Sequence, residues 1–176
     1  MNKNLKKLTY SAVLLALAFL LPFITANNME LGNAFCLMHI PVLLCGLICG
    51  PVWGTAMGAV APLLRSAVIG APPFPTVALP MAFELGAYAL AAGLMYKLLP
   101  KRMPYVYLSL CAAMVFGRIV HGTVKFLLYG FKGGFSGYIT GTVLVSWPGV
   151  LVQLLLIPLI FIALKRAKLL PENNKI

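Results

Sequence analysis

Three ionisable side chains interrupt a long apolar segment in the second half of the chain. Arg118, His121 and Lys125 lie within residues 105–129, and their spacing of i, i+3 and i+7 places them on one face of a helix. A charge at bilayer depth costs about 2.5–3.5 kcal/mol on insertion scales. Such a stripe must face a partner, a polar cavity or a ligand, and we predict a substrate cavity.

An alternative is that these basic groups pair internally with acidic residues and serve only packing. The chain has three acidic residues, of which only Glu84 lies in an apolar segment. One carboxylate cannot neutralise the whole stripe, although we expect Glu84 to pair with one of the arginines. The cavity hypothesis therefore stands beside a structural ion pair.

The composition explains why charged groups in apolar segments are informative here. Of the 176 residues, 61% are hydrophobic and 10% are charged, and the mean hydropathy is +0.96. A soluble domain of this size could not bury so much apolar surface. The net charge of +11 comes from basic residues that flank apolar segments, which indicates membrane topology and contact with anionic lipid rather than nucleic acid.

Six apolar segments predict an all-α integral membrane protein with six transmembrane helices in one domain, residues 1–176. The expected spans are residues 8–24, 35–49, 52–69, 77–96, 105–129 and 142–164. Basic residues before the first span, after the fourth and after the sixth place both termini in the cytoplasm. A re-entrant second span is the alternative, and it would move the basic turn at residues 97–102 to the outside.

With six spans, the polar groups inside the apolar segments converge on the outer half of the bundle. The third and fifth spans run outward, the fourth runs inward, and the second begins at the outer side. A cavity there would carry net positive charge, which favours an anionic or acceptor-rich ligand. The candidate substrate-binding residues are Arg65, Glu84, Arg118, His121, Lys125 and His39.

The sequence holds no strong signature of catalysis. No phosphate-binding P-loop is present, so any ATP hydrolysis must come from another chain, and no His-Glu-x-x-His zinc motif occurs. Ser136 lies in the segment GFSGY, which is weak evidence for a nucleophile. We expect no catalytic residue, metal or cofactor, and an autonomous carrier or channel and a membrane enzyme remain the alternatives to a binding module.

The chain resembles the substrate-binding S components of energy-coupling factor (ECF) vitamin transporters. The resemblance rests on the six-span layout with short loops, on a pair of small residues in the first span, Ala12 and Ala16, and on residues 39–66 and 71–96. A small-xxx-small pair lets another helix approach closely. The resemblance extends over nearly the whole chain.

This resemblance implies a small module of the bacterial plasma membrane that captures a micronutrient from outside and has no enzymatic activity. It implies that one transmembrane coupling subunit and two ATPase subunits supply the energy, and that Ala12 and Ala16 form the docking surface for the coupling subunit. It also implies that the loaded module tips over in the membrane to release its cargo inside.

The substrate does not follow from the resemblance, because the family takes several vitamins and related compounds. A positive cavity favours a carboxylate such as pantothenate, held by Arg65 or Arg118. A free Glu84 would instead suit a donor-rich ring such as a pterin or a deazaguanine, the ring of queuosine precursors. We rank these two ligands first.

Overall fold

The computed structural model describes residues 3–25, 35–100, 102–130 and 145–167. The regular elements in these ranges are all helical, which confirms the predicted all-α class. They are α1 (Lys3–Leu20) with a 3₁₀ turn at Leu21–Thr25, α2 (His39–Cys49), α3 (Pro51–Ile69), α4 (Ala78–Leu98), α5 (Met103–Tyr129) and α6 (Trp147–Arg166). Five of the described helices are long and apolar enough to cross a membrane, and α2 is shorter.

The helix boundaries differ from the expected spans mainly at their starts. The basic lead is part of α1, which begins at Lys3 rather than at Leu8. The helix α2 begins at His39 rather than at Phe35, because Cys36 has a φ of 48°, a left-handed conformation that a right-handed helix cannot contain. The expected start of the sixth span, residues 142–144, and Ser136 lie outside the described residues.

The short helix α2 lies inside the bundle, and all of its residues are buried. Its 11 residues rise about 16 Å, roughly half the thickness of the hydrocarbon core. The helix packs against α1, α3, α4 and α6. Neighbouring helices therefore replace lipid around α2, which explains why it carries almost no polar face.

Contacts at the two ends of α2 show that the first four helices alternate in direction. At one end, Nε2 of His39 lies 3.9 Å from a carboxylate oxygen of Glu84 in α4. At the other end, the thiol of Cys49 donates to the carbonyl of Lys7 in α1 at 3.7 Å, and Lys7 and Lys97 line one cavity. A re-entrant second span is excluded, because α2 leads from one half of the bundle to the opposite end.

We call the end of the bundle that carries Lys7, Lys97 and Lys165 the basic end. The sixth helix reaches it too, because the rings of Tyr96 and Phe161 pack edge-on with centroids 5.5 Å apart, and Lys165 follows Phe161 by about one turn. The positive-inside rule assigns this end to the cytoplasm.

Glycines bring the backbones of α3 and α4 into direct contact. A Cβ added at Gly58 would lie 2.6 Å from the carbonyl oxygen of Leu85, a distance that real Cβ atoms do not reach. Close backbone packing of this kind replaces the hydrophobic driving force that helices lack in lipid. It fixes α4, which carries Glu84, against its neighbour.

We expect Gly58→Ala to push α3 away from α4 and to lower the free energy of unfolding by about 1–3 kcal/mol. Gly86→Ala in α4 is the matched control, because its added Cβ would lie 3.6 Å from the nearest atom, the carbonyl oxygen of Thr55. Thermal unfolding of both variants in detergent measures the difference. Equal unfolding midpoints would contradict the backbone contact.

Candidate substrate-binding site

Glu84 is the single acidic side chain among the residues that the structure describes, and it is 2% exposed. It lies six residues after the start of α4, about 9 Å along the helix. Its Oε2 atom lies 2.7 Å from Nδ1 of His121, and its Oε1 atom lies 3.0 Å from Nη1 of Arg118. The expected pairing of Glu84 with an arginine is present, and His121 is a second partner from the same helix, α5.

His39 faces the same carboxylate but does not bond to it. The 3.9 Å between its Nε2 and Oε1 of Glu84 exceeds a hydrogen-bond distance. His39 is 4% exposed, and within the described parts of the chain neither of its ring nitrogens has a hydrogen-bond partner. Its ring packs edge-on against the ring of Tyr88, with centroids 5.2 Å apart. We call Glu84, Arg118, His121 and His39 the Glu84 cluster.

The Glu84 cluster holds an unsatisfied acceptor beside an unsatisfied ring. Oε1 of Glu84 is close to Arg118 yet accepts no well-aligned hydrogen bond from the described residues. A buried polar atom without a hydrogen bond costs about 1–3 kcal/mol, and native proteins leave few of them. Two such groups 3.9 Å apart are what a bound polar molecule could satisfy.

Arg118 is held in place by groups outside the cluster. Its Nη2 atom donates to Oγ of Ser146 at 2.7 Å and lies 3.8 Å from the thiol of Cys36. The side chain of Gln153 in α6 donates to the carbonyl of Cys36 at 3.4 Å. One guanidinium thus connects α5 with the segments that precede α2 and α6, and its orientation toward Glu84 is fixed.

Gly117 allows α5 to approach the aromatic wall of the cluster. A Cβ added at this position would lie 2.7 Å from the ring of Tyr88. The absence of a side chain therefore lets Arg118, the next residue, reach Glu84 while Tyr88 stays packed on His39. The sequence carried a signal for Tyr88 and Gln153, since both are polar groups within apolar spans, but it carried none for Cys36 or Ser146.

Two predicted site residues lie away from the Glu84 cluster. Nη1 of Arg65 donates to the carbonyl of Phe19 at 2.8 Å, and its guanidinium lies 5.1 Å from the centre of the Phe23 ring. Arg65 therefore connects α3 to the end of α1. Lys125 is exposed on α5, one turn beyond His121. The permanently charged groups of the cluster are then one arginine and one carboxylate, which balance, so the surplus of arginine and lysine that the sequence predicted for one cavity is not gathered here.

Comparison with known proteins identifies the family. A family model described as the substrate-specific component of ECF transporters matches residues 6–164. The chain belongs to this family. Neither a curated protein nor a solved structure matches it. The chain is therefore the substrate-specific membrane subunit of an ECF transporter. As a multi-pass membrane protein, it works with the ECF module and a small-molecule substrate. The predicted helical bundle agrees with this assignment.

The ion pair between Glu84 and Arg118 can be tested by a double-mutant cycle with Glu84→Gln and Arg118→Met. Removing one partner of a buried pair leaves an uncompensated charge and destabilises by about 3–5 kcal/mol. We expect the double variant to unfold with a smaller loss than the sum of the single losses, by at least about 1 kcal/mol. Unfolding in detergent provides the measurement, and additive losses would show that the two groups do not interact.

Proposed function

We propose that this S component captures a small polar nutrient at the Glu84 cluster, from the outer side of a bacterial plasma membrane. A coupling subunit and two ATPase subunits would drive its import. The observation that supports the proposal is a pair of buried groups, the ring of His39 and Oε1 of Glu84, that have no hydrogen-bond partner among the described residues.

The position of the cluster supports capture from outside. His39 is the first residue of α2, Glu84 lies about 9 Å from the start of α4, and His121 lies about 12 Å from the end of α5. These helix ends are opposite to the basic end of the bundle. Because the charge rule assigns the basic end to the cytoplasm, the cluster belongs to the outer half.

The chemistry of the cluster favours a neutral ligand with donors and acceptors side by side. The carboxylate of pantothenate would form an ion pair with Arg118. It would also be repelled by the negative charge of Glu84, whose Oε1 lies 3.0 Å from the same guanidinium. A deazaguanine ring presents a carbonyl oxygen next to N–H donors, which matches an arginine donor next to a carboxylate acceptor. We therefore place a queuosine precursor ahead of pantothenate.

Titration of the purified chain with a deazaguanine and with pantothenate tests both the ligand and the site. We expect the deazaguanine to bind more tightly and Glu84→Gln to weaken its binding about 10- to 100-fold, the range of a hydrogen bond to a charged group. Thr123→Ala is the control on the same helix, since the exposed hydroxyl of Thr123 donates to the carbonyl of Ile119 at 2.9 Å.

The possible outcomes separate the ligand from the site. Tighter binding of pantothenate than of the deazaguanine would overturn the ligand class. Equal affinity of Glu84→Gln and the unmodified chain for whichever compound binds would overturn the site. Mass spectrometry of small molecules that are released from the purified chain identifies a ligand of another class without prior choice.

The docking surface for the coupling subunit is the second part of the proposal. Ala12 and Ala16 are exposed on α1, whereas Ser11, Leu14 and Ala18 on its other face are buried in the bundle. Small residues that face away from the bundle allow a helix of another chain to approach closely. This exposure favours docking over the alternative of an internal helix contact.

We expect Ala12→Trp and Ala16→Trp to spare ligand binding and to reduce uptake by the complete transporter to background, because the large ring keeps the coupling helix away. Val115→Trp is the control, since Val115 is 63% exposed on α5, which packs against α4 and α6 rather than α1. Uptake with the complete transporter and binding to the isolated chain are measured in parallel. Normal uptake by both alanine variants would refute the docking surface.

A further inference from the structure

A cavity lies at the basic end of the bundle, where α1 and α3 begin and α2 and α4 end. Its volume is about 640 Å³. Lys97 lies 13 residues after Glu84, or about 20 Å along α4, so this cavity is separate from the Glu84 cluster. The lining residues used below are Lys7, Gly50, Val52, Trp53, Tyr96 and Lys97.

The charge of this cavity is positive. Among the residues that the structure describes, the side chains that line it include Lys7 and Lys97 but no carboxylate. Lys7 is half-buried and Lys97 is exposed, so both can reach a group at the mouth. Lys165 and Arg166 in the last turn of α6 lie at the same end of the bundle but are not among the residues that line the cavity. An anion is the ligand that such a potential attracts.

Backbone donors open into the same cavity. The helix α3 begins with Pro51, which has no N–H group, and no side chain caps this start. Gly54 donates to the carbonyl of Gly50 at 3.0 Å, which leaves the N–H groups of Val52 and Trp53 without helical acceptors. Gly50 has a φ of 95°, and a Cβ added there would have no atom within 4 Å, so the space beside the start of α3 is open at Gly50.

Tyr96 supplies an independent indication of a ligand. It forms part of the cavity wall and is 3% exposed. Among the described residues its hydroxyl has no hydrogen-bond partner, although buried tyrosine hydroxyls usually have one. The cavity thus combines two lysines and two amides without helical acceptors among the described residues with a wall residue, Tyr96, whose buried hydroxyl is unsatisfied.

We propose that this cavity binds the phosphate of an anionic phospholipid headgroup. Lys7, Lys97 and the amides at the start of α3 would face the phosphate, and the acyl chains would follow the apolar residues beside it. A lipid fits better than a free phosphate because the wall is largely apolar, and Val52 is 77% exposed. Basic pockets between membrane helices on the cytoplasmic side bind such headgroups, and tryptophan favours the same depth.

Lipid retention by the full-length chain tests this proposal. The chain is purified from mixed micelles with equal amounts of phosphatidylglycerol and phosphatidylcholine, and bound lipid is counted by native mass spectrometry. We expect phosphatidylglycerol to be retained at least tenfold over phosphatidylcholine, and Lys7→Ala with Lys97→Ala to remove this preference. The control is Lys165→Ala with Arg166→Ala, which removes the same charge from the same end and should keep the preference. Tyr96→Phe should weaken retention about two- to tenfold.

Three results would overturn the site. The first is that the unmodified chain shows no preference for phosphatidylglycerol. The second is that both double variants lose the preference equally, because such a loss would indicate unspecific attraction to positive charge. Displacement of the lipid by excess inorganic phosphate would indicate a site for a free anion. The thermal unfolding midpoint of each variant is measured alongside, so that loss of lipid is compared only among folded proteins.

Discussion

The carboxylate of Glu84 is the constraint around which the middle of the bundle is built. An unpaired carboxylate cannot stay charged at this depth, because the several kcal/mol that desolvation costs must be offset by nearby cations and donors. Arg118 and His121 provide them from α5, which fixes the register of α5 against α4. Arg118 in turn requires Gly117 beside Tyr88 and Ser146 before α6. One buried charge therefore sets the relative positions of three helices.

The rest of the bundle depends on close backbone contact. A Cβ at Gly54 would lie 2.7 Å from the Cα atom of Gly46, and one at Gly93 would lie 2.7 Å from the carbonyl of Gly46. Such contacts hold the short α2 between α3 and α4 without the hydrophobic driving force that water would provide. Because α2 is rigidly enclosed, it can present His39 at one end while its other end forms part of the cavity at the basic end.

The sequence predicted the elements better than the directions in which their side chains point. The apolar segments revealed the helices, and the spacing predicted one shared face of α5 for Arg118, His121 and Lys125, of which Arg118 and His121 contact Glu84 and Lys125 is exposed. The position of Arg65 in the sequence did not predict the partner of its side chain. Its depth in the span was evident, but which neighbour it faces depends on packing, and the carbonyl of Phe19 next to the 3₁₀ turn provided the acceptor. Cys36 and Ser146 lie in segments without periodicity, so no pattern pointed to them.

The missing hydrogen bonds in the Glu84 cluster depend on how tightly Arg118 is held. A mobile guanidinium would rotate to make an aligned bond with Oε1 of Glu84, and the acceptor would then be satisfied without a ligand. Bonds to Ser146 and contact with Cys36 prevent this rotation, so the cluster keeps its charge balance and its open acceptor together. A ligand that completes the cluster would need to order few side chains, and this preorganisation favours affinity.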